Sequence, residues 1–373
     1  MNRHLLQSIF FLGLFASSFA ARLSVSGSGL SYGGQQAYLN GANIAWNSYG
    51  YDFGNGNYDG SIESWMSDIG SAGGNAARQW VHVEGYSTPV FDNSGMVTSC
   101  DNSGAFLRDV VSFLDSAQQS DVLVIYTIWN GAYMTYQPMI DMIMDDNKLQ
   151  SYLDNCLTDF ARAVSGHPAL GAWEAINEPE GSVQVSSNAN SCYDTTVIGQ
   201  SGAGWTGTNI PMERFLTLIG KMNQVIRSND SGGLCTLGAW AQFSQTDAFS
   251  NTNNHYTNQC LNGAGGGGSQ LDFYQMHAYD WSGSWSPNAP FTVRASDYND
   301  DKPILLGEYA GSCGAGTPLA DLHEYAYENG YVGGLSWHWA ATGDCSDSRS
   351  VQRSALGRLA GRTDNGVVDI NVG

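Results

Sequence analysis

The stretch WEAINEPEG, residues 173–181, begins as an apolar run of strand character and ends on an amide, a carboxylate and a proline. A strand buried on both faces reads as continuous apolar sequence, so Asn177 and Glu178 at its tip imply that the tip opens on a site. Outward from this stretch the same form recurs. Short apolar runs predict strands at 37–46, 73–83, 122–130, 171–177, 234–240, 271–279, 303–309 and 333–339. Between them, apolar residues at helical spacing predict helices at 61–73, 106–120, 149–164, 212–228 and 318–330. Strands and helices alternating at this length imply parallel βαβ units. Eight such units indicate an α/β fold, the (β/α)8 TIM barrel, with inserted βα loops. A doubly wound open sheet is the alternative, but no G-x-G-x-x-G follows the first strand. Loops at 86–105, 182–210 and 241–270 are long enough to shape an open cleft. The stretch GAGGGGS, 263–269, reads as a mobile loop tip rather than a linker, which leaves residues 21–373 as one barrel domain.

A barrel of this kind carries its chemistry at the C-terminal ends of its strands. Unusual residues fall there: Arg78 and His82 in strand two, Trp129-Asn130 in three, Asn177-Glu178 in four, Trp240 in five, His277 and Tyr279 in six, Glu308 in seven, Trp337 and Trp339 in eight. Pro179 lacks an N–H and disfavours helical backbone before it, so Glu178 is expected in extended conformation where the ladder ends. Glu178 and Glu308 would face each other across the mouth. Glycoside hydrolysis needs such a pair, one carboxyl to protonate the departing oxygen and one carboxylate for the anomeric carbon.

Each candidate has a structural alternative. Arg78 could pair with Glu174, which shares the parity of Glu178 and points inward; Asn177 could cap the next turn; His277 could be a core histidine and Tyr279 rim packing. Trp46, Trp129, Trp240, Trp281, Trp285 and Trp339 cannot all line a groove, and Trp129, Trp240 and Trp281 are the ones expected as sugar platforms. His82, His338 and Glu180 read at least as well as structural residues.

With 373 residues, 42% of them hydrophobic, 11 Trp and 19 Tyr, the chain can bury a large core. Its formal charge of −20 argues against nucleic acid or an anionic membrane as partner. A neutral polysaccharide suits both this charge and the supply of aromatic and amide side chains. At the start, Arg3 and His4 precede the apolar run IFFLGLF, and Ser18-Phe19-Ala20 offers a cleavage site. Residues 1–20 therefore read as a secretory signal peptide, and the mature chain as a secreted, extracellular protein, expected as a monomer. In that compartment the seven cysteines are read as disulfides with at least one left over, and Cys313 with Cys345 is the pairing expected. No metal-ligand spacing is present in the sequence, and hydrolysis by two carboxylates calls for neither metal nor cofactor.

The motifs WEAINEPEG, LLGEYAG, YQMHAYDW, AARQW and LSWHW, in this chain at strand ends, resemble glycoside hydrolase family 5 over essentially the whole mature sequence. NGANIAWNSYGYDFG, WEAINEPEGS and SWHWAA are most similar to its secreted invertebrate endo-β-1,4-mannanases. The resemblance implies a retaining double displacement on internal β-1,4-mannosidic linkages of mannan, galactomannan or glucomannan. Glu178 would be the acid/base, with a raised pKa tuned by His277, and Glu308 the nucleophile, kept ionised by Arg78 and Tyr279. Asn177 would bond the sugar 2-hydroxyl and Trp337 would lie beneath the ring. Many relatives carry a histidine after strand three, where this chain has Trp129-Asn130, which leaves open what does that histidine's work. An endo-β-1,4-glucanase on the same scaffold and a catalytically silent carbohydrate-binding barrel are the other readings.

Overall fold

Parallel strands form at all eight expected positions in a computed structural model that describes residues 21–373; the expected signal peptide lies outside the described residues. They are β1 (Leu39–Ala45), β2 (Ala76–Val83), β3 (Leu123–Asn130), β4 (Leu170–Asn177), β5 (Cys235–Gly238), β6 (Tyr274–Ala278), β7 (Ile304–Tyr309) and β8 (Gly333–Ser336). Their order in the sheet is 5-4-3-2-1-8-7-6. The ring closes where Ala239 bridges Met276 and the His277 N–H donates to the Ala239 carbonyl at 2.9 Å. Every residue of these strands is buried, as a sheet covered on both faces requires.

Helices cover the outside because their apolar residues recur on one face. In Phe106–Gln119 that face is Phe106, Val110, Phe113, Leu114 and Ala117, all buried. Each large side chain removed from water in this way contributes about 1.5–3 kcal/mol. The helix expected at 149–164 departs from regularity: Asp146–Tyr152 and Thr158–Val164 are α-helical, and Leu153–Leu157 is a π turn. Asp145 caps its start, accepting from the N–H groups of Asn147 and Lys148 at 2.8 and 3.0 Å. The glycine stretch expected as a loop tip is partly helical, since Asn258–Gly265 forms a helix that runs into it. A side chain at Gly220 would meet the Gly265 Cα at 2.9 Å, so two glycines let this helix lie against Met212–Asn229.

Beneath the barrel, Ser24–Ser26, Gly29–Tyr32 and Gln35–Ala37 make a small antiparallel sheet absent from the sequence expectations. Arg22 then forks onto Asp230, with nitrogen–oxygen distances of 2.5 and 2.9 Å, and Trp173 donates to the same carboxylate.

The long loops are fastened at the opposite end. Disulfides join Cys100 to Cys156, Cys192 to Cys260 and, as expected, Cys313 to Cys345, leaving Cys235 buried as a free thiol. Among the described residues, no helix is long and apolar enough to cross a membrane.

Candidate active site

At the centre of the barrel lies Arg78 of β2, wholly buried. A guanidinium offers five donors and no acceptor, and here it finds a carboxylate on either side. Nε and Nη2 fork onto Glu174 at 2.6 and 2.5 Å, while Nη1 reaches Glu308 at 2.5 Å. Asn43 and Asn177 accept its remaining protons at 2.9 and 2.7 Å. The two readings of Arg78 are thus both realised: it anchors the barrel interior and holds the β7 glutamate. Gly238 makes room for this cluster, since a Cβ there would stand 2.7 Å from Glu174 and 2.9 Å from Arg78.

Glu178 sits one residue past β4. Contrary to the extended backbone expected before a proline, it is left-handed, with φ 39° and ψ 59°. Its N–H donates to the Gly238 carbonyl at 2.6 Å, and Pro179 opens a 3-10 turn through Gly181. These bonds hold a conformation that costs on the order of 1–3 kcal/mol, a form of strain that collects at functional sites. The turn aims the side chain back over the barrel mouth. An oxygen of Glu178, an oxygen of Glu308 and a nitrogen of His277 all lie within 4.8 Å of one another. The three could converge on a divalent cation only by giving up the 2.7 Å bond between His277 Nδ1 and Glu178 Oε1.

Environment separates the two carboxyls. Burial pushes Glu178 up to about 7, with Arg78 opposing and Glu174 reinforcing the shift. Burial raises Glu308 as well, against the pull of His277, Arg78 and Tyr279, whose hydroxyl donates to Oε2 at 2.9 Å. Glu308 therefore has a cation and a phenol in direct contact with its anion, and Glu178 has neither. His277 is driven down to about 4 by burial, so it is neutral at ordinary pH.

Over these groups opens a groove of about 640 Å³ with Glu178, Glu308 and Asn177 in its floor. Trp337, Trp240, Tyr279 and Trp281 line it, Trp281 being 76% exposed. Trp129 does not. It is fully buried, packed on His82 and Tyr152 under the outer helices, so its expected role as a sugar platform is withdrawn. A break in alternation is the reason: Thr127 points inward onto Glu174, so regular pleating would turn Trp129 inward too. The pairing of β2 with β3 shifts register between Trp80–Thr127 and Val83–Trp129, and past that irregularity Trp129 turns to the helices while Asn130, paired with Asn177, faces the groove. Trp46, Tyr49, Trp80 and Trp205 line the groove too, and none was singled out as a platform from the sequence. Trp205 lies 5.4 Å from Trp240 and extends that wall.

Glu180 is a buried carboxylate two residues beyond Glu178. It accepts from the hydroxyls of Ser244 and Tyr256, both at 2.5 Å, and from the Trp240 N–H at 3.3 Å. Burial raises it to about 7 against these donors. It ties the loop bearing Trp240 to the turn bearing Glu178.

No protein-family model matches the chain. A mannan endo-1,4-β-mannosidase of Cryptopygus antarcticus is 43% identical over 368 residues, covering 96% of this chain and 95% of its own. Another, of Mytilus edulis, is 39% identical over 367 residues, covering 96% and 98%. Among solved structures, the endo-1,4-β-mannanase of Eisenia fetida superposes with a TM-score of 0.93 at 41% identity, over 95% of this chain and all of that one. With this identity sustained over nearly the full length, the chain belongs to the invertebrate β-1,4-mannanases of glycoside hydrolase family 5.

Proposed function

We propose that this enzyme is a secreted retaining endo-mannanase, with Glu178 as acid/base and Glu308 as nucleophile. The observation that carries this reading is the approach of one oxygen of each carboxylate to within 4.8 Å in the floor of an aromatic groove. A separation of about 5 Å leaves no room for a water between carboxylate and anomeric carbon, as inversion would need. Glu308 attacks the anomeric carbon while the Glu178 carboxyl gives its proton to the departing oxygen. The glycosyl ester so formed is opened by water, which loses a proton to Glu178 as its oxygen bonds the anomeric carbon and frees Glu308.

The surrounding groups serve these steps. Arg78 and Tyr279 hold Glu308 as an aligned anion, and neutral His277 holds Glu178. Asn177 bonds the 2-hydroxyl of the ring being cleaved, where charge development strengthens the contact. Trp337 supports that ring, and Trp240 and Trp281 carry sugars further along the chain. In this reading the groove accepts the interior of a polymer.

A panel of linear mannan, galactomannan, glucomannan, cellulose and xylan, scored for reducing ends and product length, tests the reading. Short oligosaccharides from the three mannose-containing polymers are expected. Release from cellulose with none from mannan would make the enzyme a glucanase.

A further inference from the structure

Glu84, Tyr49 and Asn130 form a hydrogen-bonded line that ends on Asn177, and the chemistry of each group fixes the direction of each bond. The Glu84 carboxylate can only accept. It takes the Tyr49 hydroxyl at 2.8 Å on one oxygen and the Thr135 N–H and hydroxyl at 2.9 and 2.8 Å on the other. Tyr49 has one proton, now committed, so its oxygen accepts from Asn130 Nδ2 at 3.0 Å. With its nitrogen turned that way, Asn130 presents Oδ1 to Asn177 Nδ2 and to the Ala132 N–H, each at 3.1 Å. At its other end Asn177 accepts from Arg78. One proton of the Asn177 amide remains uncommitted, and Tyr49, Asn130 and Asn177 all line the groove.

We propose that Asn130, oriented by Tyr49 and Glu84, is a positioning residue that takes one amide proton of Asn177 and aims the other at the sugar 2-hydroxyl. The proposal rests on the assignment of Asn177 to that hydroxyl. It also gives Asn130, at the tip of β3, a task in the groove. The 2-hydroxyl is axial in mannose and equatorial in glucose, so the direction of this one N–H bears on which polymer is cut.

The test compares wild type, Asn130→Ala and Tyr49→Phe on 2,4-dinitrophenyl β-mannobioside and on its analogue lacking the 2-hydroxyl of the ring that bears the leaving group. Rates are taken relative to spontaneous hydrolysis of each substrate. Loss of one oriented hydrogen bond should lower kcat of Asn130→Ala on the parent about tenfold, with KM little changed, and the deoxy analogue should register less than about a twofold loss. Tyr49→Phe, which removes only a hydroxyl, should show the same asymmetry at smaller size. Equal losses on both substrates, or none on the parent, would overturn the proposal. A wild-type enzyme indifferent to the 2-hydroxyl would remove the Asn177 assignment and the proposal with it.

Discussion

Glu178 and His277 are joined by a 2.7 Å contact between Oε1 and Nδ1, and the same ring nitrogen reaches Glu308 at 3.6 Å. A neutral imidazole between two carboxyls lets one keep its proton while the other stays an anion held by Arg78 and Tyr279. In the proposed mechanism Glu178 is protonated for the first step, and burial pushes its pKa up to about 7. The rate on oligosaccharides with poor leaving groups should therefore fall about tenfold per pH unit above that value. A profile level through pH 9 would contradict the assignment.

Stability should carry the same signature. Burial pushes the folded pKa of Glu178 above the ordinary 4.5, so the folded state binds the extra proton, and the contribution of Glu178 to stability is lost as pH rises from about 4.5 to about 7. Glu178→Gln escapes that loss. Its melting temperature should match wild type near pH 4 and exceed it near pH 8, by an amount equivalent to roughly 2–3 kcal/mol. An equal difference at both pH values would show that titration of Glu178 is not the cause.

Arg78→Lys keeps the charge and loses the fork. Glu174, which also accepts from Thr127 and Gln275, would be left with an imperfect partner in the barrel interior, and Glu308 would lose its cation. The expected result is destabilisation on the order of 3 kcal/mol together with at least about a hundredfold loss of kcat. Chemical denaturation and steady-state kinetics on one preparation measure both.

Removal of the Glu180 carboxylate acts on substrate length. Glu180→Gln keeps the volume but presents an amide to Ser244, Tyr256 and Trp240, so the Trp240 loop loosens. KM should rise severalfold on long mannooligosaccharides and little on the shortest one cleaved. A uniform loss across lengths would locate the effect at the chemistry instead.

Replacing Cys313 and Cys345 together by serine frees a loop of 32 residues between the tips of β7 and β8. The chain-entropy cost is about 3–4 kcal/mol. A lowered melting temperature is expected, and an unchanged one would show that the loops are held by packing alone.

The strand tips made the barrel legible, because a run such as 171–177 has to be buried on both faces and WEAINEPEG gathers an amide, a carboxylate and a proline where the run stops. Trp129 is not legible in this way: alternation counted from the inward Thr127 points it into the barrel, and only the irregularity at the tip of β3 turns it outward and brings Asn130 to the groove. Glu178 escaped the pre-proline rule because bonds from Gly238 and the following turn outweigh a local preference. The sheet at 24–37 is built on short polar strands with turns at Gly27 and at Gly33-Gly34, all at positive φ, a pattern weaker than apolar periodicity. The Glu84–Tyr49–Asn130 line joins three loops and strand ends, and no spacing rule connects residues so far apart in sequence.

Stereochemistry tests the pairing of Glu178 with Glu308 most directly. Proton NMR of the anomeric signals in the first minutes of mannopentaose cleavage shows which anomer is released before mutarotation. Carboxylates this close match the spacing of the proposed retaining mechanism, which predicts that the β-anomer comes first. Initial release of the α-anomer would mean that water attacks directly, and Glu308 would not be the nucleophile.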